Sequence, residues 1–182
     1  MTEAVTIYTI GHSNRALAAL VSMLTESGVE TLVDVRAHPG SRRHPQFSRE
    51  NLEGATRGAA IQYHWAGRQL GGMRKPLIDS PHRALPDALR GYADYMTSDT
   101  FARAAAQLID LAAKAPLAVL CAERLPEHCH RSLISDYVSV RGARVVHLVE
   151  LGARREHELN ANARATRGEI IYDGNTQGAL EL

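Results

Sequence analysis

The apolar run Leu117-Ala-Val-Leu120 passes straight into Cys121-Ala-Glu-Arg-Leu-Pro-Glu-His-Cys-His-Arg131, and then into an amphipathic run from Leu133 to Val140. That succession reads as a buried strand, a polar loop and the first turn of a helix. It is the repeating unit of an open α/β sheet, in which ligands sit outside the carboxyl ends of the strands. The loop holds both cysteines of the chain, two of its nine histidines, two glutamates and two arginines.

The rest of the chain supplies matching units. Val5-Thr-Ile-Tyr-Thr-Ile10 alternates and is rich in β-formers, so it is a first strand. Ser13 or Asn14 can cap the helix that follows, in which Leu17, Leu20, Val21 and Leu24 recur at helical spacing until Gly28. Thr31–Val35 is a second strand, and this βαβ opening implies parallel pairing of the two. The loop from 37 to 46 is too rich in proline, glycine and charge to be regular. A short helix starts at Ser48, Ile61–Trp65 is an edge strand, and Gly67–Lys75 is a basic loop carrying Gly71 and Gly72. Helices capped by Asp87 and by Ser98 or Asp99 precede a fourth strand, Leu117–Cys121, and a fifth, Arg144–Val149. The tail reads as a polar helix over 154–165 with a further strand at Ile170–Tyr172. The expected architecture is one three-layer, Rossmann-like α/β domain over residues 1–182, with a mainly parallel sheet of about five strands.

Charge separates the function classes. Residues 36–83 carry nine Arg or Lys against three Asp or Glu, although the net charge of the chain is only +1. Such asymmetry suits an anionic partner, either a small molecule or nucleotide or a nucleic acid. Apolar runs are short and interrupted by charges, so no membrane span is expected. The first residues lack a signal-peptide pattern, which points to the cytoplasm and to two reduced thiols. Oligomeric state is not legible.

The strand-end rule gathers His12, Ser13, Asp34, Arg36, Cys121, Glu123, Cys129, His130 and Arg131 on one edge, with His38, His64, Gly71, Gly72 and Arg74 on adjoining loops. Cys129, near a helix N-terminus and close to Arg124 and Arg131, is the expected low-pKa thiol and nucleophile. Cys121, ending an apolar strand, is not expected to share that environment. Glu123 and His12 are candidates for moving protons. Asp34 and Arg36 lie on one side of a strand, as an ion pair or as substrate contacts. Neither cysteine is followed by the arginine six positions on that a phosphatase loop needs, since Ser135 and Glu127 stand there. A zinc deaminase pattern fails because Pro126 and Cys129 follow Cys121-Ala-Glu123 too closely. Cys121, Cys129 and His130 are acceptable zinc ligands by type, but their spacing is not a standard one, so no metal and no cofactor is expected.

Four motifs in register carry a family resemblance. They are Thr9-Ile-Gly-His-Ser-Asn14; Leu32-Val-Asp-Val-Arg36 with Pro39, Ser41, Pro45 and Phe47; Leu70-Gly-Gly with Arg74; and Cys121-Ala-Glu with Cys129-His-Arg131. Together they resemble domain-of-unknown-function family 488 from about Ile7 to His147. The resemblance implies a Rossmann-like α/β fold and marks the same edge residues. It carries no established reaction.

The leading expectation is a thiol- or acid/base-dependent hydrolase or transferase. Arg36, Arg74 and Arg131 would bind an anionic, phosphate-bearing substrate, with Ser13, Asp34, Gly71, Gly72 and His130 around it. His12, Arg36, Glu123 and Arg131 should line one concavity. The alternatives are a nucleic-acid-binding module, with Tyr63 and Trp65 stacking on bases, and a protein-interaction module.

Overall fold

Strand alternation and helical spacing divide the chain as follows in the computed structural model, which describes residues 4–40 and 42–175. The first half holds β1 (Thr6–Gly11), α1 (Leu17–Glu26), β2 (Thr31–Asp34), α2 (Arg49–Gly58), β3 (Gln62–Trp65) and α3 (Gly67–Leu70). After a long loop come α4 (Asp87–Tyr95), α5 (Asp99–Ala112), β4 (Leu117–Cys121), α6 (Arg131–Ser139), β5 (Arg144–Glu150) and β6 (Ala153–Glu156). A hairpin of β7 (Ala163–Thr166) and β8 (Glu169–Tyr172) ends the described chain. Short 3-10 turns at Pro45–Phe47 and Pro126–His128 punctuate two of the loops.

The central sheet has six strands in the order β3-β2-β4-β1-β5-β6. All pairings are parallel except β5 with β6. The period of two along β4 explains the layers. Leu117, Val119 and Cys121 enter the core under α4, α5 and α6, whereas Ala118 and Leu120 enter the core under α1 and α2. Every residue of β4 is buried, and a strand apolar on both faces belongs in the middle of a covered parallel sheet. For that reason β4 lies between β1 and β2. The expected direct pairing of β1 with β2 is replaced by two pairings to β4, in the register Ile7↔Leu117 and Thr31↔Leu117.

Helix starts follow local chemistry in part. Ser98 accepts a hydrogen bond from the Phe101 N–H at 3.2 Å, and Ser48 accepts one from the Asn51 N–H at 3.3 Å. Neither Ser13 nor Asn14 caps α1; Ala16 stands at that cap, and Ser13 turns the chain with φ of 47°. Pro86, not Asp87, occupies the cap of α4, and Asp87 lies in its first turn. The loop expected from Gly67 begins instead as α3.

The largest difference concerns the tail. Residues 154–165 do not form a polar helix. They contribute β6, a connecting segment and most of β7, and the strand expected at 170–172 is β8. β6 pairs with β5 along Val146↔Glu156 and Leu148↔Arg154 while all its side chains stay exposed. A charged edge strand with neither face buried has no apolar periodicity to read.

Candidate active site

β1, β2 and β4 end side by side, and the chain leaves them in opposite directions. From β1 it crosses through α1 on the face of Leu20, Leu24 and Leu32; from β4 it crosses through α6 on the face of Leu133, Tyr137 and Val138. The crevice opened by such a reversal is the ligand site of doubly wound sheets. Backbone bonds carry the ladder on into the loops. The His12 N–H donates to the Cys121 carbonyl at 3.0 Å, the Ser13 N–H to Ala122 at 2.8 Å, and the Val35 N–H to Leu120 at 3.0 Å.

Two buried thiols meet at the centre of this edge. Cys121 ends β4, and Cys129 stands two residues before α6. The Nδ1 of His130 is 3.7 Å from the Cys121 Sγ and 3.8 Å from the Cys129 Sγ. The opposite ring nitrogen, Nε2, is 3.1 Å from the Val35 carbonyl oxygen. A carbonyl only accepts, so Nε2 carries the proton, and Nδ1 of the neutral ring offers its lone pair to the thiols. The ring is held from two sides. Tyr92 lies against it with centroids 4.7 Å apart, its own hydroxyl fixed to the Leu70 carbonyl at 2.8 Å. On another side a Cβ at Gly72 would stand 2.9 Å from Nδ1.

The two thiols are not equivalent. A hydrogen bond from the Cys129 thiol holds Cys121 below its ordinary range against the effect of burial, and the Arg131 charge and the Ala122 N–H act the same way. Burial pushes the Cys129 thiol up, and its neighbour Cys121 raises it further. The two shifts run in opposite directions, Cys121 down and Cys129 up. The expectation from the loop sequence placed the lowered thiol at Cys129. Cys129 sits in extended backbone outside α6, and Cys121 does share its environment, because the end of β4 points into the same space.

Cys121, Cys129 and His130 line a cavity of about 360 Å³ together with Arg36, His38 and Glu123. Arg36, His38, Ala122 and Glu123 also line an adjoining basin of about 400 Å³ that holds His12, Ser13, Arg43 and His44. The cleft thus has a thiol basin and a basic basin with a shared wall. Glu123 is exposed at that wall. His12 is buried, places Nδ1 2.9 Å from the Ser13 carbonyl and stacks on Phe47 at 4.6 Å. Burial pushes it down to about 4, so it is neutral at pH 7, with Nε2 as its acceptor.

Several expected substrate contacts are internal struts. Asp34 is fully buried and accepts from the Arg36 Nε at 2.9 Å, from its terminal nitrogen at 2.6 Å and from the Tyr63 hydroxyl at 2.6 Å. The third Arg36 nitrogen donates to the Phe47 carbonyl at 2.9 Å. Arg36 reaches the cleft wall as a charge whose nitrogens are already bonded. Arg131 does not line the concavity with His12, Arg36 and Glu123. It is 1% exposed, and its guanidinium donates to the Glu123 and Arg124 carbonyls, bracing the loop from below. Arg74 donates to the Gly71 and Arg68 carbonyls and stacks over Tyr95 at 3.8 Å. Gly71 and Gly72 admit Ala37 and the His130 ring to close range, where a ligand was expected. His64 faces a different depression with Glu53 and Arg57. Trp65 donates to the Arg36 carbonyl at 2.9 Å and lies under Arg49 and Arg68.

Met73 and Leu89 line the thiol basin and were not singled out from sequence, whereas His128, read in sequence as a charge near Cys129, lines it too. Met73 follows the Gly71-Gly72 pair, which was the available signal. Leu89 reads as an ordinary core residue of its helix. As to metals, the donor atoms of Cys121, Cys129 and His130 lie within 4.8 Å of one another, the one such group among the described residues. Sulfur and imidazole suit a soft ion, and three protein ligands are the donor count of a catalytic zinc site with one open position, one short of a structural site.

Fold and site define an α/β protein with a paired-thiol cleft at the carboxyl ends of parallel strands. The chain belongs to the family described as domain of unknown function DUF488, which matches residues 16–138. No curated protein and no solved structure matches it. Among the described residues no helix is long and apolar enough to cross a membrane.

Proposed function

We propose that this protein is an enzyme that performs thiol chemistry on a small anionic, phosphate-bearing substrate held in the two-basin cleft. The observation that carries the reading is the convergence of two thiols on the one ring nitrogen of His130 left free by the Val35 carbonyl. A thiolate is the nucleophile of such chemistry, and a neighbouring imidazole is the usual acceptor of its proton. Cys121 takes the nucleophile role first assigned to Cys129, because it is the thiol held down by its neighbours. The basin beside it, with Arg43 on its wall and the Ser13 hydroxyl among its polar groups, supports an anionic group on the substrate. Glu123, on the shared wall, is the group able to exchange a proton with a leaving group.

The test is the pH dependence of iodoacetamide alkylation of the reduced native protein, with the modified residue located by peptide mapping. Cys121 should react first and well below the ordinary thiol range near 8.5, and inorganic phosphate should slow it. Two cysteines that stay inert until the protein unfolds would end the thiol reading.

A further inference from the structure

A single nucleophilic cysteine does not need a second thiol beside it. Cys129 nevertheless points at Cys121 from inside the same basin, with both sulfurs and His130 Nδ1 within 4.8 Å. Both cysteines are free thiols. Resting on the thiol reading above, we propose that Cys121 and Cys129 form a two-electron redox pair, in which Cys121 reduces a small hydroperoxide and Cys129 closes a disulfide with it.

The steps balance as follows. Cys121 passes its proton to His130 Nδ1. The Cys121 thiolate attacks the distal oxygen of the hydroperoxide; an S–O bond forms, the O–O bond breaks, and the departing alkoxide takes the proton from His130 to leave as an alcohol, or as water when the oxidant is hydrogen peroxide. Cys121 is now a neutral sulfenic acid. His130 Nδ1, having given up its proton to the alcohol, lies 3.8 Å from the Cys129 sulfur and takes the Cys129 proton. Cys129 attacks the Cys121 sulfur; the S–S bond forms, the S–O bond breaks, and hydroxide leaves as water with the Cys129 proton. The protein has then lost two electrons to the peroxide, and a dithiol reductant restores it by exchange. The arrangement fits a small oxidant, because the thiols are buried and line a basin of about 360 Å³.

The experiment adds one equivalent of hydrogen peroxide to the fully reduced protein and follows free thiols in denaturant, with peptide mapping of the product. Oxidation of the wild type should run about tenfold faster than that of free cysteine at pH 7, where a free thiol is only a few per cent thiolate. The product should be a Cys121–Cys129 disulfide with the loss of two thiols. Cys129→Ser should stop at a Cys121 sulfenic acid that dimedone traps, and Cys121→Ser should lose the fast reaction. Should either variant fail to fold, dimedone competition on the wild type gives the same answer, since trapping at Cys121 must compete with disulfide closure. Oxidation no faster than free cysteine, or Cys121 carried on to sulfinic acid with Cys129 still free, overturns the redox pair. Alkylation of Cys121 at low pH would in that case leave the thiol enzyme standing.

Discussion

His130 donates its Nε2 proton to the Val35 carbonyl oxygen across 3.1 Å, and this one bond decides which ring nitrogen faces the thiols. Without it the ring could carry its proton on Nδ1 and would no longer accept from Cys121. His130→Asn should therefore leave the fold intact and slow Cys121 alkylation at pH 7 by about tenfold, within the ordinary range of a positioned base. The measurement is the alkylation rate beside a thermal melt. An unchanged rate would mean that Cys129, Arg131 and the Ala122 N–H hold the thiolate without the imidazole.

Gly72 tests the same geometry from the outside. A methyl group there would stand 2.9 Å from His130 Nδ1, closer than real contacts allow, so the ring must move. Gly72→Ala should slow Cys121 alkylation about as much as loss of the imidazole, while Gly40→Ala, in open space, should change nothing. Equal rates in the two variants would show that the loop yields and the ring does not.

Arg131 and Asp34 are predicted to act on stability. Arg131 braces the loop through two carbonyls, and Arg131→Met should cost about 3 kcal/mol, the scale of two lost charge-assisted bonds. Asp34→Asn leaves the Arg36 guanidinium buried with a neutral partner and should cost a similar amount, about 3 kcal/mol. Urea denaturation with equal slopes checks both. Losses under 1 kcal/mol would mean that water takes over these contacts.

Acid should destabilise the fold through two buried histidines. Burial pushes His12 down to about 4 and His147 down to about 3. The unfolded chain takes up these protons near pH 6.5. Between pH 6.5 and 4 the unfolded state therefore binds more protons, and stability falls as the pH is lowered, by on the order of 2 kcal/mol per ring. The slope fades above pH 6.5 and is gone about one unit higher, where the unfolded rings are neutral too. Urea midpoints at pH 7 and pH 4.5 should differ accordingly, and His12→Gln should remove part of the difference. A flat profile would sink the argument.

The protein purified without added metal is expected to hold no stoichiometric zinc, because the spacing of Cys121, Cys129 and His130 is not that of a standard zinc motif. Elemental analysis of the wild type and of Cys129→Ser decides it. One zinc per chain, lost in the variant, would make the cluster a metal centre.

The sequence alone determined most of the layers, because burial imposes a period. Two-residue alternation marked β1, short apolar runs marked β2 and β4, helical spacing marked α1, α5 and α6, and the strand-end rule brought His12, Arg36, Glu123 and both cysteines toward one edge. It could not place β4 between β1 and β2, since strand order depends on which strand has both faces covered. It misread residues 154–165, whose exposed backbone ladder leaves no mark in side-chain polarity. The chemistry of the cleft was a tertiary decision throughout. Arg131 and Arg36 look like anion binders in sequence, but the carbonyls and the carboxylate they bond are supplied by the folded loop and strand end. The meeting of the two thiols spans eight residues, and the ring nitrogen that faces them is set by a carbonyl at Val35, far away in the chain. Charges and hydrogen bonds act over a few ångströms in space, and spacing along a chain does not record those distances.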